Sequence, residues 1–122
     1  ASLAHLHTPA TYRLMEQRAG QLGAGISAAL QRHGIAWQVS RVGARLEFGP
    51  APAPRTGRQS MESIDHALEG ALHLYLLNRG FLLTPFHNMM LASPVTTEGQ
   101  VDAFLATFDT ALVEFAPLMG AR

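Results

Sequence analysis

The sequence predicts an α+β domain in which helices cover a small, mostly antiparallel sheet, with elements in the order α-β-β-α-β-β-α. Two kinds of stretch indicate this class: long ones with apolar residues at helical spacing, and short ones in which apolar and polar residues alternate. Glycine and proline mark the borders between them. With 122 residues, 48% of them hydrophobic, the chain can build one core.

The first half of the chain predicts one long helix followed by a hairpin. Thr8-Pro9 is typical of a helix start and His33-Gly34 of a helix end. Ile35–Ser40 and Arg45–Phe48 alternate apolar and polar residues as half-buried strands do. Gly43-Ala44 fits a tight turn between them, and Arg41-Val42 also fits a bulge. The helix presents one apolar stripe: Met15, Leu22, Ile26, Ala29 and Leu30.

The middle of the chain begins with a loop at residues 49–59, rich in proline and glycine. A second helix is predicted to start at Ser60 as its cap and to end at Gly80. Two short, largely buried strands follow, Phe81–Leu83 and Met89–Leu91. The predicted buried stripe of this helix is Ile64, Leu68, Ala71, Leu72 and Tyr75.

The last helix has a clear start, because Thr97 and Gln100 have the spacing of a capping box. Pro117 is predicted to end it. Its apolar face is formed by Val101, Phe104, Leu105, Phe108, Leu112 and Phe115.

The composition excludes several classes of function. Nine acidic and nine basic residues balance, which argues against a nucleic-acid binder, and no apolar run reaches the roughly 20 residues of a membrane span. With no cysteine there is no disulfide or thiolate site, and a cytoplasmic domain is expected. All nine basic residues are arginines, so no lysine can form a Schiff base.

Two further patterns are weak. Six histidines are present, but the pairs His5/His7 and His66/His73 have no carboxylate at a recognised metal-ligand spacing, so no metal site is predicted. The glycines at 20, 23 and 25 lie within a helical stripe, which is the wrong context for a phosphate-binding loop.

Candidate binding residues lie on one strand and in one loop. Arg45 falls on the strand face opposite Leu46, where it is either an exposed surface arginine or a carboxylate-binding fork. The segment Leu83–Asn88 places polar and aromatic side chains between two apolar strands, and such loops often carry binding groups.

Several segments resemble the closing portion of the class III, pyridoxal-phosphate (PLP) dependent aminotransferases, in particular the glutamate-1-semialdehyde 2,1-aminomutase-like branch. The resemblance covers about residues 9–116. The segments that carry it are His73–Pro85 (HLYLLNRGFLLTP), Ser93–Glu98 (SPVTTE), Val101-Asp102 and the upstream strand Trp37–Gly43 (WQVSRVG).

The resemblance implies the C-terminal small domain of a fold-type I PLP enzyme that transfers an amino group on an amino acid or related amine. Residues 1–8 would end a connecting segment from a missing large domain, and residues 9–122 would form the small domain. The large domain would hold PLP and the catalytic lysine, and the parent would be a homodimer. This chain alone would bind no cofactor and carry no catalytic residue. The edge of the substrate pocket would fall to Thr84, Phe86, His87, Asn88 and Arg45.

The sequence departs from the patterns of the family in two places. Ornithine- and GABA-type members carry a carboxylate-binding arginine at the position that matches Leu91, so that mode of binding is not expected here. Phe86-His87-Asn88 also differs from the aminomutase pattern, which leaves mutase and transferase activity both open.

A different class of function is an independent α+β module that binds a small molecule or a protein. The two hypotheses differ in the surface they predict. A domain built to dock should expose an apolar patch larger than a few hundred Å². We expect the second face of the first helix and the segment 84–91 to contribute to it.

Overall fold

The computed structural model describes residues 5–84 and 87–120 of the chain. In chain order the elements are α1 (Pro9–Arg32), β1 (Trp37–Val42), β2 (Arg45–Pro50), α2 (Gly57–Glu62), α3 (His66–Leu77), β3 (Met89–Leu91) and α4 (Glu98–Phe115). The strands form one antiparallel sheet in the order β1-β2-β3. The predicted α+β class is therefore confirmed.

The predicted ends of the long helices are confirmed by their capping contacts. Thr8 Oγ1 accepts from Thr11 N at 3.2 Å, and α1 ends before Gly34, whose φ is 65°. At α4, Gln100 N donates to Thr97 Oγ1 at 3.2 Å and Thr97 N donates to the Gln100 side chain at 2.9 Å. These local contacts fix the helix ends without help from distant residues.

The predicted hairpin is also confirmed. Val42 pairs with Arg45, which leaves the two-residue turn Gly43-Ala44 between the strands. Gly43 has a φ of 58°, a conformation that side chains other than glycine adopt with strain. The turn fixes the register, and the register decides which side chains face the helices.

The predicted second helix is wrong in its start, because two shorter helices occupy its place. Thr56 caps α2 by accepting from Gln59 N at 3.2 Å, and Asp65 caps α3 by accepting from Leu68 N at 3.0 Å. Ser60 lies inside α2 instead of capping it. The buried face of α3 is Leu68, Leu72 and Leu76, whereas Ala71 is exposed.

The predicted strand Phe81–Leu83 does not form, so the sheet has three strands rather than four. Phe81 N still bonds to Leu76 O as the chain leaves α3. Thr84 N reaches Met89 O at 3.4 Å, which is the contact that ties this segment to β3. Within the described residues, no ladder of backbone hydrogen bonds joins Phe81–Leu83 to β3, so β3 remains an edge strand.

The core lies between one face of the sheet and the helices α1 and α4. Phe108 of α4 is fully buried and packs edge-on against Phe48 of β2, with ring centroids 5.1 Å apart. The helices approach closely at Gly25, where an added Cβ would lie 2.4 Å from Leu105 Cδ1. The helix-facing side chains of β2, Leu46 and Phe48, are thus buried within the chain.

Candidate functional site

The strand register divides the sheet residues between two faces. Leu46, Phe48 and Met90 point toward α1 and α4. The alternate residues point the other way, and we call this surface the open face because α1 and α4 both lie on the opposite side. The open face consists of Gln38, Ser40, Val42, Arg45, Glu47, Met89 and Leu91.

A polar cleft of about 420 Å³ lies against part of the open face. Its floor is formed by strand residues that include Arg45 and Glu47. Its walls come from the loop after β2, the end of α2 and the first turn of α3, where Glu69 lies. His87 closes the side nearest β3. The cleft therefore collects an arginine, two glutamates and a histidine from three segments of the chain: β2, α3 and the residues before β3.

The two glutamates have different surroundings. Glu47 Oε1 lies 3.9 Å from His87 Nδ1, which is the distance of an ion pair when the imidazole is protonated. Burial raises the pKa of Glu69 above its ordinary value, and His66 and His87 partly oppose that rise. Glu69 Oε2 is buried and accepts no hydrogen bond within the described residues. The cleft thus offers one carboxylate beside an imidazole and one that is held in a less polar setting.

Of the predicted pocket-edge residues, Arg45 and His87 lie at this cleft. Thr84 does not, because its hydroxyl donates to Met89 O at 2.9 Å and it lines a separate groove. Asn88 is 4% exposed, and its side-chain amide donates to Phe48 O at 3.3 Å. Thr84 and Asn88 therefore secure the ends of the segment 84–89. Phe86 lies outside the described residues.

Glu47 and Glu69 were not predicted from the sequence. Glu47 shares a strand face with Arg45, so the alternation in Arg45–Phe48 did contain a signal for it. Glu69 had no such signal, because it reaches the cleft only through the packing of α3 beside the loop after β2.

The separate groove, which we call the apolar groove, measures about 630 Å³ and runs beside the edge strand β3. It is bordered by Phe81–Thr84 and Met89–Ala92, and by residues of α1 and α4. Leu82 on its rim is 78% exposed. Apolar side chains left in water beside a free strand edge are typical of a surface that another segment covers.

Two absences among the described residues bear on other functions. Within 5–84 and 87–120, no three histidine, aspartate or glutamate side chains are grouped as a metal ion would need. In the same residues, no helix has the length and apolar character to cross a membrane.

Solved structures resemble the chain closely. It is similar to a glutamate-1-semialdehyde aminomutase from Pseudomonas aeruginosa PAO1, with 42% identity over 93% of the chain and a TM-score of 0.88. A variant of a glutamate-1-semialdehyde aminomutase from the same organism, solved in complex with PMP, is 44% identical over 88% of the chain, with a TM-score of 0.85. An omega-transaminase from Sphaerobacter thermophilus is 26% identical over 91%, with a TM-score of 0.78.

The chain spans about a quarter of the length of these structures, since it covers 25%, 24% and 25% of them. No protein-family model matches it, and no curated protein sequence does. Identity above 40% that extends over nearly all of the chain, together with the same fold, makes this a domain of the class III PLP-dependent aminotransferases. Within that family it belongs to the glutamate-1-semialdehyde aminomutase-like branch.

The residues of this chain do not fit the cofactor by themselves. PLP enzymes hold their cofactor through a lysine, and the sequence contains none. Its cleft residues can bind carboxylates, accept hydrogen bonds or exchange protons. They have no primary amine with which to bond the cofactor.

Proposed function

We propose that this chain is the small domain of an aminotransferase or aminomutase subunit, where it shapes and closes the substrate pocket. The parent moves an amino group on an amino acid or a related amine with PLP, and the chain alone is inactive. The observation that carries the proposal is the 42% identity with a glutamate-1-semialdehyde aminomutase over 93% of this chain and 25% of that protein.

The surface of the domain supports this role. On the open face, Val42 is 82% exposed and Leu91 is 66% exposed, although both belong to strands. Leu82 adds a third exposed aliphatic side chain beside the apolar groove. We infer that the remaining three quarters of the subunit packs over these residues, because a soluble domain gains free energy when such side chains leave water.

The predicted docking surface needs one revision. The segment 84–91 contributes through Leu91 and the apolar groove. The second face of α1 contributes less, because within Pro9–Arg32, which the structure describes throughout, Tyr12 is the one large apolar side chain that is exposed. Docking through β3 and the open face is therefore the arrangement that we favour.

Within the assembled subunit, we assign the pocket edge to the polar cleft and the segment beside it. Arg45 and His87 contribute side chains from this chain. We assign Phe86 to the same edge from the family resemblance alone. Thr84 and Asn88 hold the segment in place through their bonds to Met89 and Phe48. Residues 1–8 would join the domain to the large one. PLP would be held by that large domain, in a cytoplasmic homodimer.

A domain exchange tests the proposal. The matching quarter of the Pseudomonas aeruginosa aminomutase is replaced by this chain, and the purified chimera is loaded with PLP. We expect it to fold and to transfer amino groups from at least one amine in a panel of amino acids and simple amines. The measurement is the change in cofactor absorbance on adding each donor, in single turnover.

Two controls make the result decisive. The aminomutase lacking that quarter should lose activity, which shows that the exchanged domain is needed. The isolated chain, incubated with PLP, should show no absorbance beyond that of free PLP apart from attachment at its N-terminal amine. A folded, PLP-loaded chimera that reacts with no donor would contradict the proposal and favour an independent binding module.

A further inference from the structure

Arg45 lies in the middle of an exposed row on the open face. It is the first residue of β2 and pairs with Val42 on one side and with Leu91 on the other. Side chains at directly opposed positions of antiparallel strands lie about 5 Å apart on the same face. The row is therefore a guanidinium flanked by two aliphatic side chains, at the end of the open face nearest the β1–β2 turn.

The guanidinium of Arg45 has no acceptor within the described residues. Four other arginines do have one. Arg18 bonds to Glu98 and Arg32 to Asp109, both at 2.6 Å, and Arg41 and Arg79 donate to backbone carbonyls. Arg13, Arg55 and Arg58 make no such side-chain bonds in the described residues either, but they lie on a helix surface, in a loop and on α2 rather than on the sheet. Arg45 is the sheet arginine left without an acceptor.

The nearby carboxylate does not supply that acceptor. Glu47 lies two residues further along the same strand face, but it makes no ion pair with Arg45 within 4.0 Å and instead faces His87 at 3.9 Å. The end of the open face that carries Arg45 therefore presents an unneutralised positive charge between exposed apolar side chains.

If this row is covered, the guanidinium of Arg45 needs an opposite charge. If the rest of the subunit packs over Val42 and Leu91, as proposed above, the guanidinium between them leaves bulk water too. A desolvated charge is strongly unfavourable unless an opposite charge and hydrogen bonds compensate it. The planar fork of arginine is suited to two parallel hydrogen bonds from one carboxylate.

We infer that Arg45 binds a carboxylate supplied from outside this chain. The inference rests on the proposed function, since it is the covering of the open face that demands a counter-charge. The carboxylate belongs either to the amino-acid substrate or to an acidic side chain of the covering domain. In the first case Arg45 determines specificity for substrates with a carboxylate, and in the second it positions the small domain.

The test uses the loaded chimera with Arg45→Gln, and Arg41→Gln as the matched control. Arg41 is an exposed arginine of the same hairpin whose guanidinium already bonds to Gly43 O at 2.8 Å. Each variant is assayed with alanine and with ethylamine, which lacks the carboxylate. The melting temperature is recorded in parallel.

If the carboxylate belongs to the substrate, Arg45→Gln should raise KM for alanine about 10-fold or more, because one charge-assisted pair is lost. KM for ethylamine and the melting temperature should then stay within the range of the control. If the carboxylate belongs to the covering domain, Arg45→Gln should lower the melting temperature by several degrees and should change KM equally for both amines. If Arg45→Gln and Arg41→Gln gave the same KM values and the same melting temperature, the inference would be overturned.

A second measurement keeps the inference independent of the chimera's activity. Acetate is titrated into the isolated chain while the Nε–H resonances of its arginines are followed by NMR. We expect the Arg45 resonance to shift in a saturable way, well beyond the shift of Arg41. Equal, non-saturating shifts would contradict the role of Arg45, whereas an inactive chimera containing Arg45 would contradict the proposed function alone.

Discussion

The two faces of the three-stranded sheet are made from alternating residues of the same segments, yet they have different surroundings. Toward the helices, Leu46 and Phe48 are 1% and 2% exposed, and Phe48 packs edge-on against Phe108 of α4. On the other face, Val42 and Leu91 are largely exposed on either side of Arg45. The helix-covered face is complete within this chain. The open face leaves two aliphatic side chains in water, which is typical of a surface that a partner covers.

This difference separates folding from function within a short sequence. The residues that stabilise the domain point to one side, where they meet only residues of the same chain. The residues proposed to act on substrate or to meet the large domain point to the other side. Substitutions on the two faces should therefore have separable effects, on the free energy of unfolding for one and on activity for the other.

The largest expected effect comes from the helix-covered face. Phe108→Ala removes a fully buried ring that packs against Phe48 and Phe104. We expect it to lower the free energy of unfolding by about 3–5 kcal/mol, the usual cost of truncating a buried aromatic residue. Urea denaturation of the isolated chain, followed by far-UV circular dichroism, measures this change.

Leu91→Ala is the matched control on the open face. It removes an aliphatic side chain that is 66% exposed, so the free energy of unfolding should change by about 0.5 kcal/mol or less. In the chimera the same substitution should lower stability more, because the proposed docking places the large domain over this side chain. Equal destabilisation by both substitutions in the isolated chain would show that the open face is already packed.

The sequence alone was sufficient where local chemistry decides the structure. Thr8, Gly34, Gly43 and Thr97 each form a cap or a turn with neighbours a few residues away, and each prediction was confirmed. These signals also fixed the hairpin register, and with it the position of Arg45 on the open face.

The sequence was insufficient where local alternatives compete or where packing decides. Ser60 was a possible cap, but Thr56 and Asp65 accept the amide three residues on and divide the helix. Phe81–Leu83 has a strand-like composition, but within the described residues no ladder of backbone hydrogen bonds joins it to β3. Glu69 enters the polar cleft through tertiary packing, which periodicity does not report.

The second prediction concerns the helices that cover the sheet. Gly25→Ala introduces a Cβ that would lie 2.4 Å from Leu105 Cδ1, so Leu105 must move. Overpacking of this kind costs about 1–3 kcal/mol, and the gain in helix propensity over glycine returns up to about 1 kcal/mol. We expect a net loss of about 1 kcal/mol in the free energy of unfolding, measured as above.

Gly20→Ala is the control in the same helix, because nothing lies within 4 Å of the position that the added methyl group would take. It should gain about 0.5–1 kcal/mol from helix propensity alone. Changes of opposite sign in the free energy of unfolding would locate the tight packing on the helix-covered side. A gain at both positions would show that Leu105 adjusts without cost.

The smallest expected effect contrasts two carboxylates, one at each side of the sheet. The hydrogen bond from Arg32 holds the pKa of Asp109 below its ordinary 3.8, with a further contribution from His33. Burial raises the pKa of Glu69 above 4.5 at the polar cleft. Asp109 therefore stabilises the fold above about pH 4, and this stability is lost as the pH falls through its lowered pKa. The contribution of Glu69 to stability depends on pH in the opposite direction. It is fully present below pH 4.5 and is lost as the pH rises through the raised pKa of Glu69.

These opposite pH dependences predict how two isosteric substitutions change the free energy of unfolding between pH 3 and pH 7. At pH 7, Asp109→Asn should lower the free energy of unfolding by no more than about 1 kcal/mol, because the Asp109 side chain is 40% exposed and solvent screens the pair. Glu69→Gln should raise it at pH 7, and both differences should shrink toward pH 3. Destabilisation by Glu69→Gln at neutral pH would mean that the ionised carboxylate already has a partner in this chain. The polar cleft would then be complete in the same sense as the helix-covered face.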